Sequence, residues 1–498
     1  MHDFGILSLL PAFITILLAL LTHRIVLALF LGIISGALIM DHSGVAAGLK
    51  SIFYYLYITF SDPERLKIAF FLLLVGGLLG IISDSGAYIE FAKTLSGFLN
   101  TARKVRLTTF ILGIFIFFDD YASVLIAGTS MRSITKSHRI SPALMAYIVD
   151  SVATVVSITL LSTWSAFESS LMVSAGATVS VKKTATEFLI SSLPYHICTY
   201  SGLFLAFLVA FSGKWFGVKL DNLKIEEEEK ENTTGKGAKF IHVFIPIITL
   251  IFCALGGLFY SAYKKLSLLS YEEINIINLL GDAPTINILI LSTFIALLIC
   301  VILLKKDKVM EKGTMRKGFL TGLKHMGTAA LLIILSRGLS EISDNLGTGL
   351  FITGIFSSTV TVALLPAIIV IISALITIAT GISWSSMAIL MPIAYDMALC
   401  QGGQELIPVV GGAVISGAIF GGLLIPYSDT SVMAASAFRI TPVYHTRTQA
   451  SQIFTVFTVS ILAYLLIGLG INLWIVYLTG ICLLTGIHYF LAKESNLL

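Results

Sequence analysis

Two adjacent carboxylates follow the apolar run Phe110 to Phe118, in the segment Phe118-Asp119-Asp120-Tyr121. A charged side chain near the centre of a bilayer costs about 2.5 to 3.5 kcal/mol on insertion scales, so acids at that depth line a pathway or hold a partner. Three other stretches set hydroxyls, aromatic rings and helix-weakening residues inside apolar runs: Ser162-Thr163-Trp164-Ser165, Thr380-Gly381-Ile382-Ser383-Trp384 and Ile425-Pro426-Tyr427-Ser428-Asp429-Thr430. In hydrocarbon every backbone N–H and C=O must be paired, so a helix is interrupted only where protein or a water-filled cavity serves the freed groups. Breaks therefore locate sites. Freed carbonyls and hydroxyls are oxygen ligands for a hard cation, and half-helix N-termini favour an anionic group.

Neighbours on a regular helix point about 100° apart, so only one of Asp119 and Asp120 is expected to touch an ion unless the helix unwinds there. The other would hold an arginine or a backbone donor. The plainer alternative is that the pair caps a helix start. Asp150 follows Pro142 by a couple of turns and belongs either to a pathway or to the membrane interface; Asp429 follows Pro426 among Ser428, Thr430 and Ser431. The candidate ion- or substrate-binding set is Asp119, Asp120, Ser123, Asp150, Ser162, Trp164, Thr380, Ser383, Trp384, Ser428, Asp429 and Thr430, with Tyr121 and Tyr427 as walls and sodium expected at Asp119, Asp120 and Asp429. A proton and a metal cation competing for the same carboxylate oxygens would be the simplest exchange mechanism. Glu168, Glu341 and Arg337 suit a loop or an internal salt bridge at least as well as a pathway, and His196 suits helix packing.

The elements around these residues are set by composition. The 498 residues are 56% hydrophobic and 12% charged, with mean hydropathy +0.95, whereas a soluble chain is about 25% charged. Runs such as Leu7 to Leu21, Ile25 to Met40, Ile68 to Ile82, Phe188 to Phe211, Phe240 to Tyr260, Ile286 to Leu304, Phe454 to Leu469 and Leu473 to Leu491 approach the length a bilayer span needs. With the interrupted segments they predict an all-α integral membrane protein of about 11 to 13 passes or half-passes. The first run has no small-residue cleavage site after Leu21 and is read as a retained helix. A net charge of +4 spread over loops gives no reason to expect nucleic acid. The cysteines Cys198, Cys253, Cys300, Cys400 and Cys482 lack the spacing of a disulfide framework or metal cluster. No catalytic or nucleotide motif is present, so the chain reads as no enzyme and needs no cofactor, with sodium and protons as transported ions.

The chain divides into two related halves. Ile82-Ser83-Asp84 recurs as Ile342-Ser343-Asp344 and Gly48-Leu49-Lys50 as Gly322-Leu323-Lys324; an offset of 263 residues sets Tyr121 opposite Trp384, Ser123 opposite Ser386 and Trp164 opposite Tyr427. Residues 1–213 form the first repeat, 214–239 a hydrophilic cytoplasmic linker with the acidic run Glu226 to Glu229, 240–471 the second repeat, and 472–498 an extra helix and tail. The loop Asp41 to Lys67 is neutral while its counterpart Lys305 to Lys324 holds seven bases against two acids, and the bias reverses one helix later. The positive-inside rule then orients the halves oppositely, as inverted-topology repeats with broken helices or re-entrant hairpins.

Taken together, Phe118-Asp119-Asp120-Tyr121 with Gly128 and Met131-Arg132, Ala146-Tyr147 with Asp150-Ser151, Ser162-Thr163-Trp164, Thr380-Gly381 with Ser383-Trp384, Ala388 to Pro392, Pro426 with Ser428-Asp429-Thr430, and Thr448-Gln449 make the chain resemble the NhaC family of sodium/proton antiporters, within the ion transporter superfamily. The resemblance runs from about Ile68 to Gln449. It implies secondary active transport across the plasma (inner) membrane, a homodimer and an elevator-like movement in the lipid bilayer. Family members carry Gly-Asp-His before the proline of the second-half motif, where this chain has Gly421-Gly422-Leu423. The alternative is therefore a sodium- or proton-coupled carrier of a small organic anion or amino acid.

Overall fold

The computed structural model describes residues 4–22, 24–40, 45–87, 90, 99–181, 183–216, 237–266, 285–347, 351, 361–380, 383–426 and 428–494. Most of them are helical, as hydrocarbon demands of a chain that closes no barrel. Among the described residues six helices are long and apolar enough to cross a membrane, or up to eight if two bent pairs each count as one span. The chain is an all-α, multi-pass membrane protein.

One bundle packs α1 (Leu10–Thr22), α2 (Ile25–Met40), α3 (Val45–Ser61) and α4 (Pro63–Asp84) against α11 (Ile241–Leu266), α12 (Thr285–Lys306) and α13 (Lys312–Asn345) of the second half. The second bundle holds α5 (Ala102–Phe115), α6 (Asp120–Ser137), α7 (Pro142–Ala153), α8 (Thr163–Thr178), α9 (Ala185–Ser192) and α10 (Ile197–Ser212). It is completed by α14 (Leu365–Thr380), α15 (Ser383–Gly402), α16 (Ile407–Leu424), α17 (Asp429–Ala437) and α18 (Pro442–Gly468), with α19 (Leu473–Leu491) on its outside. Of the spanning windows, 89% of the one on α16 is buried against 17% on α19. So α16 is the apolar centre, and α19 presents most of its surface to lipid.

Two sequence expectations change. Residues 41–67 are not simply a loop: α3 occupies most of them, burying Tyr55 and Thr59 and exposing Phe53, Tyr54 and Tyr57. The run Phe188 to Phe211 is not one helix either. Pro194 lacks an amide proton and His196 leaves helical geometry (φ −80°, ψ 55°), so α9 and α10 meet at a 53° bend.

The two halves meet at a helix crossing made of glycines. Gly76 and Gly80 on α4 lie against Gly318 and Gly322 on α13; a Cβ at Gly322 would collide with the Gly76 carbonyl, and one at Gly80 with the Gly318 carbonyl. Four-residue glycine spacing on both partners lets the backbones touch, the usual device where lipid removes a hydrophobic drive between helices. Gly417 and Gly421 do the same for α16 against Val370, Ser373 and Thr377 of α14.

The internal repeat is visible in the element order. Asp120 opens α6 and Ser383 opens α15, 263 residues apart, and the same offset carries α5, α7 and α8 onto α14, α16 and α17. Local bonding repeats too: Ser123 Oγ donates to the Gly113 carbonyl of α5 (3.1 Å), and Ser386 Oγ to the Ser373 carbonyl of α14 (2.9 Å). Much of the linker, residues 217–236, lies outside the described residues. Its start, Lys214–Trp215, pairs antiparallel with Lys493–Glu494, joining the linker to the tail. At its end Lys239 Nζ donates to Asp307 Oδ2 (2.7 Å), and this bond holds the Asp307 carboxyl below the usual carboxylate range.

Replacing Gly80 by Leu should overpack the α4–α13 crossing and destabilise the protein by about 1 to 3 kcal/mol or more. Gly313→Ala, where nothing lies within 4 Å of the new Cβ, should be nearly neutral. Thermal unfolding in detergent compares the two, and equal midpoints would show that the crossing is loose.

Candidate functional site

Four helices begin at one point. Asp120 and Tyr121 open α6, Trp164 is the second residue of α8, Ser383 and Trp384 open α15, and Ser428 caps α17 with Thr430 in its first turn. All seven line a single small cavity with a free volume of about 40 Å³. Asp150 and the ends of α7 and α16, including Thr154 and Gly422, complete its wall. The repeat exchanges its two sides. Trp164 and Phe167 of α8 pack on Trp384 of α15, with ring centroids 5.5 and 4.4 Å apart, as Gly128 of α6 packs on Ala437 of α17.

Local sequence fixes each start. Asp119 is extended (φ −158°, ψ 133°) and caps α6 by accepting the Ala122 N–H on Oδ1 (2.9 Å). Its Oδ2 accepts from Thr163 Oγ1 (3.0 Å), and the Thr163 N–H donates to the Phe118 carbonyl (2.9 Å). The first two breaks are thus bonded directly to one another. Ser162 caps α8 in a reciprocal box with Ser165 and donates to the Val156 carbonyl (2.6 Å). Asp119, Ser123 and Ser162 therefore hold the scaffold and do not border the cavity. Of the remaining candidates, Asp120, Asp150, Trp164, Ser383, Trp384, Ser428 and Thr430 meet there. Thr380 ends α14 and Asp429 begins α17; their side chains, with all of Gly381, Ile382 and Tyr427, lie outside the described residues.

Two buried carboxylates face the cavity unequally bonded. Among the described residues Asp120 Oδ1 has no hydrogen-bond partner. Trp164 Nε1 neighbours that carboxyl without meeting hydrogen-bond geometry. Asp150 concentrates its bonds on Oδ2, which accepts from Ser431 Oγ (3.0 Å), His445 Nε2 (3.0 Å) and Gln449 Nε2 (3.1 Å), and its Oδ1 has no partner among the described residues. For this bond His445 must carry its proton on Nε2. The network ties α7 of the first repeat to α17 and α18 of the second.

Charge balance explains the arrangement. Each helix start carries roughly half a positive charge, so four of them around one cavity make a positive field that Asp120 and Asp150 offset. The C-terminal ends of α7 and α16 bring carbonyls to the same place, the usual cation ligands of broken helices. Sequence reasoning passed over His445 and gave Gln449 no role. The Thr441-Pro442 helix start and the four-residue spacing that puts both on one face of α18 were the available signal.

The model of the Na+/H+ antiporter family matches residues 155–469. This chain belongs to the Na+/H+ antiporter family. It is similar to an uncharacterized protein of Haemophilus influenzae, 25% identical over 474 residues that cover 93% of this chain and 90% of that one. It also resembles the malate-2H(+)/Na(+)-lactate antiporter of Bacillus subtilis, 28% identical over 193 residues, 38% of each. In fold it is similar to the YdaH transporter of Alcanivorax borkumensis (TM-score 0.63, 15% identity, 91% of this chain and 99% of that one). The antimetabolite efflux pump MtrF of Neisseria gonorrhoeae is similar as well (TM-score 0.60, 14% identity, 91% and 96%). The chain is thus a secondary transporter. Its departure from the antiporter family's Gly-Asp-His stretch falls on the cavity wall, where a Cβ at Gly422 would come within 2.6 Å of Ser383 Oγ.

Asp119→Ala should remove the α6 cap and the bond between breaks, costing about 1 to 2 kcal/mol. His445→Ala, which strips a donor from a buried carboxylate, should cost more, about 3 to 5 kcal/mol. Equilibrium unfolding in mixed detergent tests the order, and a larger loss for Asp119→Ala would contradict it.

Proposed function

We propose that the protein exchanges sodium for protons across the plasma membrane, with sodium held in the cavity by Asp120 and Asp150. The observation that carries this is a pair of buried carboxylates, Asp120 and Asp150, that line one small cavity and each leave an Oδ1 without a hydrogen-bond partner among the described residues. A bare carboxylate oxygen in a low-dielectric site is unfavourable without a counter-charge, and a monovalent cation between two of them supplies it. Hydroxyls of Ser428 and Thr430 and the freed carbonyls provide neutral oxygens. With about 40 Å³ free, the space admits roughly three water-sized groups, which suits a small ion carrying part of its hydration. The rings of Trp164 and Trp384 form part of its wall.

A second reading is favoured by the four helix starts, which attract an anionic group, and by the malate and lactate antiport of the Bacillus relative. In it a small carboxylate enters with the cation once the helices around the cavity move apart.

Reconstituted in liposomes, the wild-type protein should drive proton counterflow when a sodium gradient alone is imposed. Asp120→Asn and Asp150→Asn should each lower that flow about tenfold or more, the effect of roughly 1.4 kcal/mol. Absence of sodium-driven proton movement together with saturable uptake of labelled lactate or malate would favour the second reading. Full activity in both variants would remove the carboxylate site.

A further inference from the structure

One intramembrane acid remains without a task. Glu168 lies on α8 four residues beyond Trp164, on the same face and about 6 Å farther along the axis. It is fully buried, and among the described residues neither of its carboxyl oxygens has a hydrogen-bond partner. The neighbouring Phe167 packs edge-on against Trp384, so the stretch of α8 that carries Glu168 adjoins the aromatic wall of the cavity. The elements against α8 are α15, α13, α9 and α4. Their titratable groups include Tyr395 and Asp396 on α15, and on α13 Lys324 and Glu341 together with His325, Arg337 and Asp344, whose side chains lie outside the described residues. On α9 the group is Glu187, engaged in its own helix cap with Thr184, and on α4 they are Glu64, Arg65 and Lys67 near its start and Asp84 at its end. None of the described side chains supplies Glu168 with a hydrogen bond.

An ionised carboxylate lacking a counter-charge in such a place costs several kcal/mol, and ionisable residues inside the membrane mark ion pathways and proton relays. Glu168 does not border the cavity and so shares no space with a sodium ion. A proton is the one cation that needs none.

Building on the exchange reading, we infer that Glu168 carries the exchanged proton, at a site separate from the one that holds sodium. Sodium entering between Asp120 and Asp150 brings one positive charge to the bundle; the Glu168 O–H bond breaks, its electron pair stays on the carboxylate, and the proton leaves to water on the side to which the site is open. Return of the proton accompanies release of sodium on the other side. Coupling then runs through the field across the Trp164–Trp384 wall, without competition for one set of oxygens.

The test counts protons released per sodium bound by the purified full-length protein in lightly buffered detergent, with a pH-indicating dye and radiolabelled sodium. Glu168→Gln and the apolar, similarly sized Glu168→Met are compared with wild type; if one fails to fold, the other serves, because no described side chain makes a hydrogen bond to Glu168 that Met must replace. Both should bind sodium with unchanged affinity at alkaline pH and release less than half as many protons per sodium. Proton release equal to wild type in a folded variant overturns the inference and leaves the exchange reading standing. Loss of sodium binding in a folded variant also overturns it, by assigning Glu168 to the sodium site. Failure of the wild type to bind sodium defeats the exchange reading itself, and the inference with it.

Discussion

Backbone groups released inside a bilayer must find partners, and four helix breaks meeting at one cavity concentrate that requirement in a single place. Most of the unusual sequence choices in this chain answer it. Thr163 closes the first two breaks against each other through the Phe118 carbonyl and the Asp119 carboxylate. Ser383 donates to the Ala418 carbonyl of α16 (2.9 Å), and Gln449 to the Leu423 carbonyl at that helix's end (2.6 Å). Among the described residues these bonds leave one oxygen of Asp120 and one of Asp150 unpaired, both on residues that line the cavity.

The adjacent aspartates divide the work because a helix start lies between them. Asp119 is the last extended residue and spends both oxygens on the scaffold, while Asp120 is the first helical residue and turns into the cavity. The second carboxylate lining the cavity comes from α7, where Asp150 is oriented by three donors on one oxygen only. Those donors belong to the second repeat, so any relative movement of the repeats would act on the carboxylate directly. The site is asymmetric in charge although its scaffold repeats: the position equivalent to Asp120 is Ser383.

The positions of the breaks could be read from the sequence, because hydrocarbon penalises polar and helix-weakening residues inside an apolar run unless protein or a cavity serves them. The 263-residue offset could be read as well, since it rests on ordered matches. The roles of Asp119, Ser123 and Ser162 could not. A residue that caps a helix and one that binds an ion are both short, polar and placed at a break, and only the backbone angle at Asp119 separates them. His445 escaped notice because it follows an ordinary Thr-Pro helix start, far in sequence from the acid it serves. Glu168 was visible, but its isolation depends on which helices surround α8. The helix α3 was missed because its polar and aromatic residues dilute the apolar signal that marks the other spans.

The central claim is that Asp120, and not its neighbour, holds the cation with Asp150. Equilibrium binding of radiolabelled sodium to purified Asp120→Asn and Asp119→Asn tests it most directly. An asparagine at position 119 still accepts the Ala122 N–H, so that variant should bind sodium nearly as the wild type does, while Asp120→Asn should remain folded and bind none that is measurable. Retained binding in Asp120→Asn, with loss in a folded Asp119→Asn, would contradict the account.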